Sequence, residues 1–411
     1  MNDMTTDKQN KRPNVPPLRF PEFTEPWERN KVSDILDFYS TNSLSWEQLE
    51  FANGDLRNLH YGMIHVGLPT LVDLAKDELP NIKQGNVPRN YELCIDGDVA
   101  FADASEDTND VAKAIELINT NGQQVVFGLH TIHGRDNKGL TAIGFKGYAF
   151  ASKIFHDQIK RIAQGTKIFS ISSKNFAECY IGLPTLQEQR KIAHLLSIID
   201  RRIAVQNKLI EDLQQLKSAL VERLYCQHNP NCRIGDLVVQ VSKRNRGDNV
   251  YSVLSVNNRL GFIEQSEQFE DRSVASDDTS NYKVVSRDDF AYNPARVNVG
   301  SIARLTSFEN GIVSPMYICF HSKKQLLPQY LEHFFDTHYF YYEMHKRLEG
   351  SVRLCLSWEG LCNIPITVPP MERQEKIGKR ISGLADKITL EVSLLNLLKT
   401  QKQYLLQAMF I

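Results

Sequence analysis

No run of about 18 apolar residues occurs in this 411-residue chain, so no segment reads as a membrane-spanning helix. No CxxC pair occurs either. The seven cysteines (Cys94, Cys179, Cys226, Cys232, Cys319, Cys355 and Cys362) are odd in number and scattered, which suits a reducing cytoplasm better than a disulfide scaffold. The opening MNDMTTDKQNKRPNVPP is polar and lacks the apolar core of a secretory signal. An excess of one charge is also missing. Lys and Arg number 48 and Asp and Glu 49, so any surface for a polyanion has to be local.

Catalytic signatures are absent as well. Neither G-x-G-x-x-G nor G-x-x-x-x-G-K-[ST] occurs, so no phosphate-cradling loop is present. YNPAR (292–296) lacks the second proline and the stacking aromatic of an Asn-Pro-Pro-Tyr methyltransferase motif. HTIH (130–133) and CQHNPNC (226–232) have no second ligand pair at zinc-like spacing. The chain therefore reads as a binding protein, with no catalytic residue and no metal site.

What is present is a repeat. PTLQEQRKIA (184–193) returns as PPMERQEKIG (369–378), and both lead into long helical patterns. In the first, apolar residues recur at Ile192, Leu196, Ile199, Ile203, Ile210, Leu213, Leu220 and Leu224. In the second they recur at Ile377, Ile381, Leu384, Ile388, Leu395, Leu398, Leu405 and Met409. Alternating steps of four and three are the seam of a coiled coil. The copies overlay without a gap at an offset of 185 from Gly165/Gly350 onward. Upstream the match shrinks to fragments, GDVAF (97–101) beside DDFAY (288–292) and VSDIL (32–36) beside IGDLV (234–238).

These patterns divide the chain into a flexible segment 1–26, a mixed domain 27–183, a central helical spacer 184–228, a second mixed domain 229–368 and a terminal helical spacer 369–411. The expected fold is α+β: two mixed α/β domains and two long helices packed as an antiparallel coiled coil, a pseudo-twofold tandem duplication. Within the domains, residues 98–103, 123–130, 148–152, 288–293, 301–306 and 311–320 read as strands. Residues 152–164 and 327–348 read as helices. Two seam positions in each helix are polar, Gln206 and Lys217 in the first and Glu391 and Lys402 in the second. One antiparallel register sets Gln206 opposite Lys402 and Lys217 opposite Glu391, giving each lysine an acceptor.

The helical repeat with its Pro…Glu-Gln…Lys-Ile-Ala opening (183–225), its distal copy, GTKIFSISSKNF (165–176) and PPLRFPEFTEPWE (16–28) resemble the specificity subunits of type I DNA restriction-modification systems. The resemblance runs in order along the whole chain. It departs in the second opening, where Arg373 stands for Glu188 and Gly378 for Ala193. It implies that each mixed domain is a target recognition domain reading one half of a split DNA sequence, and that the helices dock two modification (methyltransferase) subunits. Restriction motor subunits join these. S-adenosylmethionine, and ATP and Mg for restriction, are then expected on the partner subunits, with the complex in the cytoplasm. The competing reading is a scaffold that binds no DNA and dimerises through its helices.

Base reading needs polar and guanidinium side chains on loops. In the first domain the candidates are His130, His133, Arg135, Asn137 and Lys138, with Lys167, Ser172 and Lys174 from the repeated loop. In the second they are Lys243, Arg244, Arg246, Arg296, Asn298 and Arg304, with Arg353 and Ser357 from the matching loop. Loops 165–175 and 350–360 stand out because they recur in both copies. The acidic run 264–278 is expected to face away from DNA.

Overall fold

The computed structural model describes residues 14–411 except 53, 109, 226–228, 247–251, 259, 269–277 and 352. Residues 1–13 of the expected flexible segment, 226–228 at the end of the spacer, 247–248 of the second domain's basic loop and 269–277 of the acidic run lie outside the described residues.

The long patterns form helices Leu186–Tyr225 and Met371–Ala408. The chain divides into two compact units, Met1–Asn207 with Leu394–Ile411, and Lys208–Ser393, so the division falls inside both helices. Each unit holds one mixed domain, the start of the helix that leaves it and the end of the other helix. In the first unit Leu196 and Ile199 share a core with Leu405 and Met409. In the second, Val221 and Tyr225 share one with Ile377 and Ile381. Start packs against end in each unit, so within each unit the two helix segments run antiparallel.

The first domain carries a five-stranded sheet. Its order is Asp37–Tyr39, Thr131–Arg135, Val99–Ala102, Ala114–Ile118 and Leu71–Asp73. All neighbours are antiparallel except the last pair. A four-stranded sheet follows, ordered Gln124–Phe127, Leu56–Leu59, Asn81–Ile82 and Leu49–Glu50. The second domain has two four-stranded sheets. One runs Val238–Val241, Ile318–Ser322, Phe290–Tyr292 and Ile302–Arg304; the other runs Gly261–Glu264, Val253–Asn257, Asn310–Val313 and Lys283–Ser286.

The duplication reaches further back than Gly165/Gly350. Helix Lys153–Ile162 is capped by Ser152, whose hydroxyl accepts from the Phe155 amide. Helix His338–His345 is capped by Thr337, which accepts from Phe340 in the same way. Ser172 and Ser357 cap Ser173–Ala177 and Trp358–Cys362. Each cap supplies an acceptor for an otherwise orphaned amide, worth about 1 kcal/mol. Phe145, Phe150 and Phe155 correspond to Tyr330, Phe335 and Phe340, and all six are buried. Residues 148–152, expected as a strand, lie largely in helix Phe145–Phe150. Every residue of that helix is buried, so no polar face marks its period. Residues 311–320 split into two strands around a turn at Ser314–Tyr317, and residues 327–348 split into two helices at the Thr337 cap.

Two details explain why the helix openings repeat. Gln189 accepts from the Ala142 amide (2.7 Å) and donates to the carbonyls of Leu140 (3.1 Å) and Pro184 (2.9 Å). Gln374 accepts from Leu327 (2.8 Å) and donates to Gln325 (2.9 Å) and Pro369 (2.8 Å). The same buried three-point clamp fixes each helix to its domain. Glu188 has a different task. It is fully buried, takes both arms of Arg19 at 2.8 Å, and accepts from the Trp27 indole. Lys191 pairs with Glu22, and the Leu18 amide donates to the Ala408 carbonyl. Residues 14–26, expected to be flexible, are therefore an arm strapped across the helix pair of the first unit. A hydrophobicity pattern could not reveal this, because the strap is held mainly by ion pairs and a backbone bond.

The expected lysine register is corrected too. Lys402 pairs with Asp200 (2.6 Å) and Lys217 with Asp336 (3.6 Å), rather than with Gln206 and Glu391. Gln206 and Glu391 are buried at their seam positions, and Glu391 pairs with Lys387 on its own helix. Lys402 reaches a carboxylate on the facing helix and Lys217 one in the second domain, and both side chains stay partly hydrated.

Candidate functional site

In each domain a strand of the main sheet runs out into a loop, and that loop is tied to the repeated loop by one matching hydrogen bond. In the first, strand Val99–Ala102 leads to Asp103, whose carbonyl accepts from the Ile171 amide at 2.9 Å. In the second, strand Phe290–Tyr292 leads to Pro294, whose carbonyl accepts from the Leu356 amide at 3.0 Å. Ile171 and Leu356 are the equivalent positions of the repeat. The GDVAF and DDFAY fragments are thus the two equivalent strands.

The repeated loops have one backbone design. Gly165 and Gly350 both take positive φ, 138° and 118°. A Cβ at either would collide with the carbonyl oxygen of Ile168 or Arg353, so glycine is required there. The chain returns through pairing of Phe169–Ser170 with Ala104–Ser105 in the first domain, and of Leu348–Glu349 with Cys355–Leu356 in the second. Ser172 and Ser357 then start the capped helices, so their hydroxyls are engaged as helix caps. The loops are hydrogen-bonded at the base and differ at the crest. Ile168 is 61% exposed beside exposed Lys167, and Leu354 is 48% exposed beside exposed Arg353.

The structure brings some candidates together and removes others. In the second domain Arg296 and Asn298 are exposed on the short 3-10 turn Val297–Val299 and its cap, next to the Pro294–Leu356 bond. The loop that carries Arg296 and Asn298 therefore adjoins the loop that carries Arg353 and Ser357. In the first domain His130, Lys167, Ser172 and Lys174 gather around Asp103 and the repeated loop, with His130 Nδ1 3.2 Å from Asp103 Oδ1.

His133 and Arg135 are not surface groups. His133 is 1% exposed, with Nε2 2.9 Å from Asp98 Oδ2. Arg135 holds both oxygens of Asp98 at 2.8 and 2.7 Å, takes Glu92 at 2.6 Å, and covers the Tyr39 ring. Burial alone would raise the Asp98 carboxyl, but Arg135 and His133 outweigh it and hold it below the usual range. This is a core ion network that ties the residue before strand Val99–Ala102 to strand Thr131–Arg135. Asn137 and Lys138 lie past the far end of that strand, bonded to Asp37, Tyr39 and the Asp34 carbonyl. Arg304 is bridged by Asp288 (3.1 Å) and Glu332 (2.9 Å). Arg244 donates to Asn281, and the 243–246 backbone pairs beside Lys283, on a strand of the other four-stranded sheet.

Cys94, Asp98 and His133 form a buried group of potential metal ligands. The donor set suits a cation poorly. Arg135 already neutralises both Asp98 oxygens, and burial raises the Cys94 thiol well above its ordinary pKa, keeping it protonated.

Sequence reasoning missed a ring cluster next to the first-domain loops. Trp46, His60 and Tyr61 pack ring on ring, and His65 and His130 each meet Tyr61 edge to face, with centroids 4.6 to 5.9 Å apart. Tyr61 and His65 sit on helix Tyr61–Val66, capped by His60. No spacing in the sequence joins residues 46, 60–65 and 130; only the sheet brings them together.

Comparison with known proteins agrees with this architecture. Residues 128–215 match the family model described as the type I restriction modification DNA specificity domain. The chain is 23% identical over 403 residues to the putative type I restriction enzyme MjaX specificity subunit of Methanocaldococcus jannaschii, covering 90% of this chain and 89% of that one. It is 37% identical over 79 residues, 19% of each chain, to the MjaVIII specificity subunit of the same organism. In fold it is similar to the type I restriction-modification S subunit of M. genitalium, with a TM-score of 0.57, 15% identity, and coverage of 97% and 99%. A chain from a type I restriction-modification assembly gives a TM-score of 0.55 at 14% identity, covering 92% of this chain and 96% of that one.

Proposed function

From a chain similar over 90% of its length to a type I restriction enzyme specificity subunit, we propose a DNA-reading subunit that recognises a bipartite target with its two domains. The reading rests on one observation above the others. Both domains display the same paired-loop platform, tied by the Ile171–Asp103 and Leu356–Pro294 bonds, with different side chains at the crest. A shared platform with divergent crests suits two readers of different half-sites. Bases are distinguished by side chains in a groove, while backbone contacts only position the protein.

The helices serve as spacer and dock. Each carries a second, outward apolar stripe: Ile198, Val205, Leu209 and Leu216 on one, and Leu390, Leu394, Leu397 and Tyr404 on the other. Exposed apolar residues at helical spacing support docking of a partner helix. The partners are two modification subunits that bind S-adenosylmethionine and methylate adenine. Restriction motor subunits add ATP- and Mg-dependent cleavage, in the cytoplasm. This chain performs neither reaction; it selects the sequence. A scaffold without DNA would not need exposed Arg296 and Arg353 on adjoining loops.

The test uses the assembled complex and labelled target DNA. Arg296→Ala and Arg353→Ala should each weaken specific binding about tenfold. Where the arginine meets a phosphate, its removal should also lower the salt slope by about one. Unchanged affinity for both variants across several salt concentrations would refute the assignment. The isolated, near-neutral chain should bind the same DNA weakly.

A further inference from the structure

The rings beside the first-domain loops are exposed more than packing requires. Trp46 is 46% exposed although it stacks on buried His60. His60 is committed to the fold, since its Nδ1 accepts from the Gly62 amide. The outer rings are not. Neither the Tyr61 hydroxyl nor the Trp46 indole N–H has a hydrogen-bond partner among the described residues. His65 uses Nε2 against the Ala104 carbonyl at 3.0 Å.

His130 is held on purpose-built backbone. It takes φ of 55°, a left-handed conformation unusual for a residue other than glycine. Asp103 grips it twice: the Asp103 amide donates to the His130 carbonyl at 3.0 Å, and its carboxylate meets Nδ1. The ring is thereby stood edge-on against Tyr61, 5.1 Å between centroids, with Nε2 unused by that pair. Strain of this kind persists only where the surroundings enforce it, and it collects at functional positions. Asp103 is also the residue whose carbonyl accepts from Ile171, so one residue ties the His130 turn to the repeated loop that carries Lys167.

We propose that Tyr61 and His130, with Trp46 beside them, are base-contacting, specificity-determining residues of the first domain, and that Asp103 is the positioning residue for His130. The ligand is double-stranded DNA; the hydroxyl and the imidazole nitrogen meet base edges, and the indole covers an adjacent sugar or base face. The inference rests on the DNA-reading role proposed above. It assigns one half-site to this cluster and leaves the other to the Arg296–Arg353 surface.

The experiment maps methylated adenines in genomic DNA of a host that lacks other adenine methylation and carries this chain with its modification subunits. Tyr61→Phe, His130→Asn and Asp103→Asn are compared with the unaltered chain. Asparagine tolerates the left-handed backbone, and phenylalanine keeps the ring packing. Each variant should accept additional bases at one or two positions of a single half-site, with methylation there raised about tenfold, while the other half-site stays unchanged and certifies the fold. Asp103→Asn should give the mildest change. An identical motif in all variants would overturn the cluster assignment, as would relaxation of the opposite half-site. A wild-type complex that leaves no defined methylated motif would refute the DNA-reading role itself.

Discussion

Asp98 is fully buried, and Arg135 binds both of its oxygens. Removing one partner of such a pair strands a charge, which costs about 3–5 kcal/mol. Arg135→Met should therefore lower the stability of the first domain by that amount, read as a drop in the urea midpoint. The result would separate this core role from the base-reading role that its loop-like sequence GLHTIHGRDNKG suggests. His133 and Arg135 were illegible because their strand is buried on both faces, so no alternation of polar and apolar residues marks it. His333 gives a second prediction at this scale. It is 7% exposed, and its Nε2 has no partner among the described residues. Burial, reinforced by Lys217 and Arg304, lowers its pKa to about 4 from an ordinary 6.5. The unfolded chain then takes up a proton that the folded chain refuses, so stability is complete above pH ~6.5 and falls as pH drops toward ~4. The loss at pH 5 is about 2 kcal/mol. His333→Tyr, which copies Tyr148 at the equivalent position, should abolish that share of acid sensitivity in paired urea titrations at pH 7.5 and 5.

Among elements, the clamps of Gln189 and Gln374 explain the echo between PTLQEQRKIA and PPMERQEKIG. Each amide closes three bonds between a helix start and its domain. Alanine at either site leaves buried backbone groups unpaired, at a cost of about 2–4 kcal/mol. Gln189→Ala and Gln374→Ala should destabilise the unit each belongs to by comparable amounts in hydrogen exchange. Glu188→Gln should act on the first unit alone, freeing the 14–26 arm to protease, because Arg373 replaces that carboxylate in the second copy. The long helices were legible in detail, since a seam period is local and survives in any register. The lysine partners were not. Other carboxylates compete with the expected acceptors: Asp200, on the same helix as Gln206, takes Lys402, and Asp336 of the second domain takes Lys217.

At the scale of the whole molecule, the account rests on duplication with division of labour. Both units share the clamp, the glycine turn, the serine cap and the loop-to-loop bond, and they diverge where side chains reach solvent. The shared parts were visible in the sequence as a constant offset from Gly165/Gly350. Further upstream, the structural correspondence of Phe145 and Tyr330 was hidden, because a core conserves volume and polarity more than identity. The surfaces named for reading, Arg296 with Arg353 and His130 with Tyr61, depend on strand pairing that no local pattern encodes. The central claim is that one chain reads DNA in two pieces. It is tested most directly by the adenine methylome of a host carrying the unaltered chain and its modification subunits. The account predicts a single motif of two fixed half-sites separated by an unspecified gap of constant length, the half-site centres about one helical turn or a multiple of it apart. An uninterrupted motif, or methylation with no fixed gap, would contradict it.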